Sequence, residues 1–265
     1  MKKKIPKTSE LMWILGIIFV ALGVTICKKA DLGVSMIAAP AFIVYEALAP
    51  LWSGFSVGMV EYAIQGLVLV LMCVIIRKFD WRFLLAFVSA IIYGYVLDLC
   101  ILIIGTEPFS EIYVRWIMLI VGDCTTALGV ACFFRTYLPL QVYELFVAET
   151  AKKFKVKIAT VKWGFDISCL ALSIILSFSL FGDVKSFPWQ DVWKTSFHSI
   201  GLGTVITTII NAPIINFWSK LLSKTCEEAP LIPKLHAFFC PPTHPNNEEA
   251  NKEKEEINKE REEIS

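Results

Sequence analysis

One apolar stretch occurs twice in this chain, and what it carries narrows the folds open to it. The run from Gly16 to Val24 returns 106 residues later from Gly122 to Val130, with both glycines and the closing Ala-Leu-Gly-Val kept. At the same offset Met12 falls on Met118, Lys29 on Arg135, Leu32 on Leu138 and Gly33 on Pro139. Each copy is therefore an apolar helix, a basic residue and a helix breaker. A unit used twice in this way is a common plan for membrane proteins.

The lengths of the apolar runs agree. Leu11–Cys27, Val57–Ile76, Phe83–Ile104, Ile112–Phe134, Ile158–Phe181 and Ser196–Trp218 are each expected to span a bilayer. The chain is 56% hydrophobic, with mean hydropathy +0.62. A soluble domain of this size covers far more of its surface with polar groups. Two further apolar stretches are awkward. Residues 32–50 hold Gly33, Pro40, Glu46 and Pro50, and residues 138–150 hold Glu144 and Glu149.

The awkward pair decides the topology. If both cross, the loop with Arg77, Lys78 and Arg82 faces outside, against the preference of basic loops for the cytoplasm. If both dip in and return, that loop and the one with Lys152, Lys153, Lys155 and Lys157 both face inward. Only Lys28 and Lys29 then stand on the wrong side. Three crossings per copy invert the second copy relative to the first. The expected fold is an all-α polytopic membrane protein with about six transmembrane helices and two short re-entrant or broken helices, built from an inverted internal repeat. Its parts are a cytoplasmic leader (1–10), a first repeat (11–104), a second repeat (112–222) and a Pro-rich, then charged, cytoplasmic tail (223–265). The basic N-terminus lacks a cleavage pattern after the first run, so a retained helix is expected. The tail carries too little apolar residue to bury a core.

Several classes are disfavoured. None of the eight cysteines forms a CxxC pair or has histidine at metal spacing, so packing is their expected role. No nucleotide loop or hydrolase motif occurs, so no enzyme and no cofactor are expected. No basic face with aromatics suggests nucleic acid.

Charges within hydrocarbon cost roughly 2.5–3.5 kcal/mol each at a helix centre, so those present mark candidate sites. Overlaying the two copies sets Glu61 against Lys162 and Gln65 against Asp166, each pair four residues apart on one helix face. Two readings stay open: a Glu61–Lys162 ion pair holding the halves together, or a substrate or ion site lined by all four. Asp98, Asp123, Asn211 and Asn216 are further candidates, as cavity ligands or as interhelical hydrogen bonds. Asp123 is a proton site or a neighbour of Arg115 or Lys162. His198, near an expected helix start, reads as a polar anchor.

Ala21-Leu22-Gly23-Val24, then Lys29 to Val34 (Lys-Ala-Asp-Leu-Gly-Val) and Gly54 to Gly58 (Gly-Phe-Ser-Val-Gly), resemble the opening of the YczE/YyaS/YitT group of bacterial integral membrane proteins. After Leu-Gly the chain departs from that pattern, since Ser35 is not followed by Pro-Trp. The resemblance covers about residues 11–220 and implies a multi-pass protein of the bacterial cell membrane, without a substrate. The expected function is a small-molecule or ion transporter with a polar site between the repeats. The alternative is a membrane-embedded binding, scaffold or accessory subunit. Expected partners are the lipid bilayer, an unidentified small molecule or ion, and a second copy or partner subunit.

Overall fold

The computed structural model describes residues 9–52, 54–181, 191, 193, 194, 196–225 and 232. The elements in order are α1 (Ser9–Ala30), α2 (Ala39–Leu48), α3 (Val57–Ile76), α4 (Trp81–Ile104), α5 (Ile112–Phe133), α6 (Val142–Phe154), α7 (Ile158–Phe181) and α8 (Leu202–Thr225). Among the described residues there is no strand, only an isolated bridge between Phe197 and Ile200. Six helices, all but α2 and α6, are long and apolar enough to cross a membrane. The chain is a polytopic helical membrane protein.

The repeated stretch forms the centre. α1 and α5 run antiparallel with their glycines in register. A Cβ on Gly23 would lie 2.5 Å from the carbonyl of Gly122, and one on Gly129 would lie 2.8 Å from that of Gly16. Gly122 and Gly129 are the counterparts of Gly16 and Gly23, so each glycine meets the other position of the other copy. That is the contact pattern of a twofold axis lying across the two helices, as an inverted repeat requires. Small residues let the backbones approach this closely where apolar lipid offers no competing drive.

The two short helices each begin halfway through the bundle. After α1 the chain turns back inward. Residues 35–38 lie beside Val20 and Thr126, midway along α1 and α5. α2 then returns to its starting end, where Glu46 meets Lys28. In the second half, Val142 N–H at the start of α6 donates to Gln65 Oε1 in the middle of α3 (3.3 Å). At the far end of α6, Lys153 Nζ reaches the carbonyls of Ile75 and Ile76. The two elements thus re-enter from opposite ends, each buried against protein, which satisfies backbone groups that lipid would leave unpaired. The halves also interlock: α2 packs on α7 as well as on α3, and α6 on α3 as well as on α7. α1 begins and α8 ends at the same end of the bundle, where Leu222 packs against Met12 and Cys132.

α3 and α7 occupy the expected spans, but the last helix does not. It begins at Leu202, not at Ser196, and runs on to Thr225. Residues 196–201 instead fold over the segment after α1. Val34 N–H donates to Ser199 O (3.0 Å) and Gly203 N–H to Leu32 O (2.8 Å). His198 and Ser199 adopt φ of 44° and 68°, which no α-helix accommodates. His198 is therefore a loop residue. The leader before Ser9 and most of the tail lie outside the described residues.

Asp98, a candidate ligand from sequence, has a different task. Its carboxylate accepts from Ser56 Oγ and from Gly58 N–H, both at 2.7 Å. Ser56 Oγ in turn accepts from Met59 N–H, capping α3. Asp98→Ala is expected to lower stability by about 2 kcal/mol, since it strips two charge-assisted bonds from a helix start. A lowered denaturation midpoint in detergent checks this.

Candidate functional site

The midpoint of the bundle collects the polar side chains that the spans carry. Glu61 and Gln65 lie one turn apart on the inner face of α3 and are 2% and 0% exposed. Gln65 Nε2 donates to Glu61 Oε1 (3.2 Å) while its oxygen caps α6. One side chain therefore ties a carboxylate of the first half to the re-entrant helix of the second. Glu61 Oε2 has no hydrogen-bond partner.

The first turn of α6 faces Glu61. Gln141 Nε2, Tyr143 Oη and Glu144 Oε2 are buried and likewise without partners. The Tyr143 hydroxyl lies close to the Glu61 carboxylate but outside good hydrogen-bond geometry. From α7, Lys162 Nζ approaches Asp166 Oδ1 at 3.4 Å. From α8, Asn211 Nδ2 donates to Asp123 Oδ1 of α5 at 2.9 Å, leaving Asp123 Oδ2 without a partner.

A cavity of about 60 Å³ lies among these groups. Glu61, Glu144, Lys162, Asp166 and Asn211 supply its polar wall, and Val20, Val24, Met36 and Val130 its apolar one. A water needs about 10–15 Å³ of such space, so there is room for a few small groups. Both halves contribute, as does the inner end of each re-entrant segment.

The sequence candidates therefore divide. Glu61, Lys162, Asp166 and Asn211 line the cavity, and Gln65 and Asp123 support it from behind. Asp98 does not line it. Asn216 is exposed on α8 and does not line it either. The Glu61–Lys162 ion pair is corrected: Lys162 pairs with Asp166 on its own helix, where four-residue spacing brings the charges together. Asp123 meets Asn211, while Arg115 turns to Asp31 and to the carbonyls of Phe109 and Lys194. Gln141, Tyr143 and Glu144 were missed as ligands. Their signal was position, directly after the Pro139 breaker that ends the repeat.

The two ends of the bundle differ. At the end carrying Lys78, a hollow of about 440 Å³ is lined by Lys78, Asp80, Thr136, Glu149 and Lys152. Pro139 and Leu140 line that hollow while Gln141 lines the inner cavity, so the tip of the re-entrant segment is the partition. The opposite end carries a hollow of about 350 Å³ lined by Lys28, Asp31, Glu46 and Glu107, with polar contacts along its wall. Lys28 Nζ contacts Glu46 Oε1 (2.6 Å) and Ser199 Oγ (2.8 Å), and His198 Nδ1 lies 3.0 Å from Glu46 Oε2. The His198 ring stacks on Phe181 at 3.6 Å. Ser196 Oγ donates to Asp31 (2.6 Å). Lys29 Nζ donates to Ile104 O (2.6 Å). The two lysines that break the charge pattern are thus engaged locally.

Glu46 sits near the outer end of α2, which does not span. Burial alone would push its carboxyl up, but Lys28, with His198 and Ser199, outweighs that and holds it below its ordinary 4.5. The ionised form therefore stabilises the fold above that value, and the contribution fades as pH falls through the lowered one. The thermal midpoint is expected to drop on acidification below about pH 4.5, and to drop less in Glu46→Gln. Equal profiles in a melting series would count against this.

Residues 7–220 match the model of a family of unknown function, DUF6198. No curated protein and no solved structure matches the chain.

Proposed function

Because the chain belongs to the DUF6198 family, whose function is unknown, its geometry has to supply the reading, and we propose that it is a secondary transporter or permease for a small molecule or ion. One observation carries this. Two oppositely directed re-entrant helices meet at a cavity whose buried wall holds Glu61, Glu144, Lys162 and Asp166. Charged groups at that depth are expensive and are retained where they handle polar cargo. A hollow at each end, with the inner cavity between them behind the thin Pro139–Gln141 segment, fits alternating access.

The same reading sets the orientation. Arg77, Lys78, Lys152, Lys153, Lys155 and Lys157 belong to the end where α1 begins, which favours a cytoplasmic N-terminus and C-terminus. The host is read as a bacterial plasma membrane, with kinship to the YczE/YyaS/YitT group resting on the Ala21–Val24 and Lys29–Val34 motifs. No catalysis is assigned. Cysteines placed at Lys78 and Lys155 should resist an impermeant maleimide in intact cells, and one at Thr106 should react. The reverse pattern would overturn the orientation. For transport, purified protein in proteoliposomes on a solid-supported membrane should give solute-dependent currents that Glu61→Gln abolishes. A folded protein inert across cationic, anionic and neutral solutes would favour the scaffold reading instead.

A further inference from the structure

We infer that the central cavity takes a small organic cation bearing N–H donors, of the ammonium or guanidinium class. This rests on the transporter reading only for what happens after binding. The site itself is argued from which polar groups are left over.

Glu61 Oε2 and Glu144 Oε2 only accept hydrogen bonds when ionised, and Tyr143 Oη also accepts. Tyr143 Oη and Gln141 Nε2 are the unpartnered donors beside them, too few for the lone pairs that the two carboxylates and the phenol offer. Lys162, the cation that would greet an anion, is already on Asp166. An occupant that satisfies this wall must therefore donate, and at more than one point. Glu61 sharpens the argument, since it is 2% exposed and its Oε2, with the Tyr143 hydroxyl nearby, makes no well-formed hydrogen bond. A buried carboxylate left so is costly, and a positive partner removes the cost.

Charge points the same way. The lining holds three carboxylates and one ammonium. The starts of α2 and α6 add about half a positive charge each. The first N–H groups at each start have partners inside the protein. Val142 donates to Gln65, and Ala38 and Ala39 both donate to Ser35 O. With all three carboxylates ionised, as a bound cation would favour, an acidic excess of about one charge remains, before Asp123 behind Asn211 is counted. That excess suits a monovalent cation.

Size and lining select the kind. Among the described residues no group of three His, Cys, Asp or Glu side chains is placed to hold a metal ion. The apolar wall of Val20, Val24 and Val130 suits a carbon-bearing body, and the buried Tyr93 adds an aromatic residue to the lining. The cavity has room for methylammonium or guanidinium, whereas tetraethylammonium carries no N–H and would leave the acceptors unserved.

The test is a thermal-midpoint titration of purified full-length protein in detergent, at ionic strength fixed with sodium chloride. Methylammonium and guanidinium chloride at millimolar concentration should raise the midpoint saturably, as linkage requires of a ligand that binds the folded state. Tetraethylammonium chloride and sodium acetate should not. Glu61→Gln and Glu144→Gln should each weaken the apparent affinity about tenfold or more; if one variant fails to fold, the other decides. No response to either small cation overturns the inference. So does an equal response to tetraethylammonium, saturation by acetate, or binding undiminished in the glutamine variants. Radiolabelled methylammonium counterflow separates the two claims. Saturable binding without counterflow keeps the cation site and removes the transporter reading. Transport of another solute without cation binding does the reverse.

Discussion

Gly23→Leu is expected to leave almost no folded protein after detergent extraction. At this position a side chain has nowhere to go. Its Cβ alone would lie 2.5 Å from Gly122 O and 2.6 Å from Thr126 N, and both are backbone atoms of α5. Backbone cannot rotate aside as a flexible side chain does, so α1 and α5 must separate. Overpacking of a well-fitted interior costs about 1–3 kcal/mol, and more when the obstacle is rigid. Here the cost falls on the helix pair that joins the halves, so about 3 kcal/mol or more is expected. The monodisperse fraction by size exclusion measures it. Gly164→Ala is the control. A Cβ there meets nothing within 4 Å, and alanine is the better helix former, so stability should hold or rise. Equal recovery of the two variants would remove the close-packed axis from the account.

Gln65→Leu is expected to cost about 2–4 kcal/mol and to loosen one element selectively. The substitution keeps most of the volume but deletes both the acceptor for Val142 N–H and the donor to Glu61 Oε1. Two buried groups are then unserved at the same point, the helix start and the carboxylate. Hydrogen exchange should quicken at Val142–Phe146 more than in α5. Ser177→Ala is the contrast. Its hydroxyl is buried without a partner, so its loss should be neutral or favourable. Unchanged exchange at the start of α6 in Gln65→Leu would show that the cap does not hold that helix.

Much of this architecture was legible in the sequence because lipid imposes simple rules. Long apolar runs bounded by charge define α3 and α7 to the residue. Basic loops, together with the breakers Gly33 and Pro139, indicate re-entry. The start of α8 was hidden because nothing local marks residues 196–201 as non-helical. Their backbone is fixed by hydrogen bonds to residues 32–34, far away in the chain.

The site was half legible for a related reason. Glu61 and Gln65 announce themselves as costly groups at helical spacing on an apolar span. Glu144 did not, since it marks an apolar stretch as awkward without placing itself on a face until the start of α6 is known. The Glu61–Lys162 pairing failed because repeat alignment gives correspondence but no distance. Asp166, one turn from Lys162, is closer than anything across the axis. Asp98 takes the second of its two alternatives, an interhelical hydrogen bond, but the backbone N–H it serves, at Gly58, cannot be seen in a string of residue names.

The interlocking of α2 and α6 between the halves bears on how the molecule is made. Synthesis proceeds from the N-terminus, so α2 is soon followed by α3, one of the helices it packs on, and long precedes α7, the other. Its first seat lies within its own half, among residues of α1, α3 and α4. The second is supplied only when the late helices arrive from the other direction and lock the early ones.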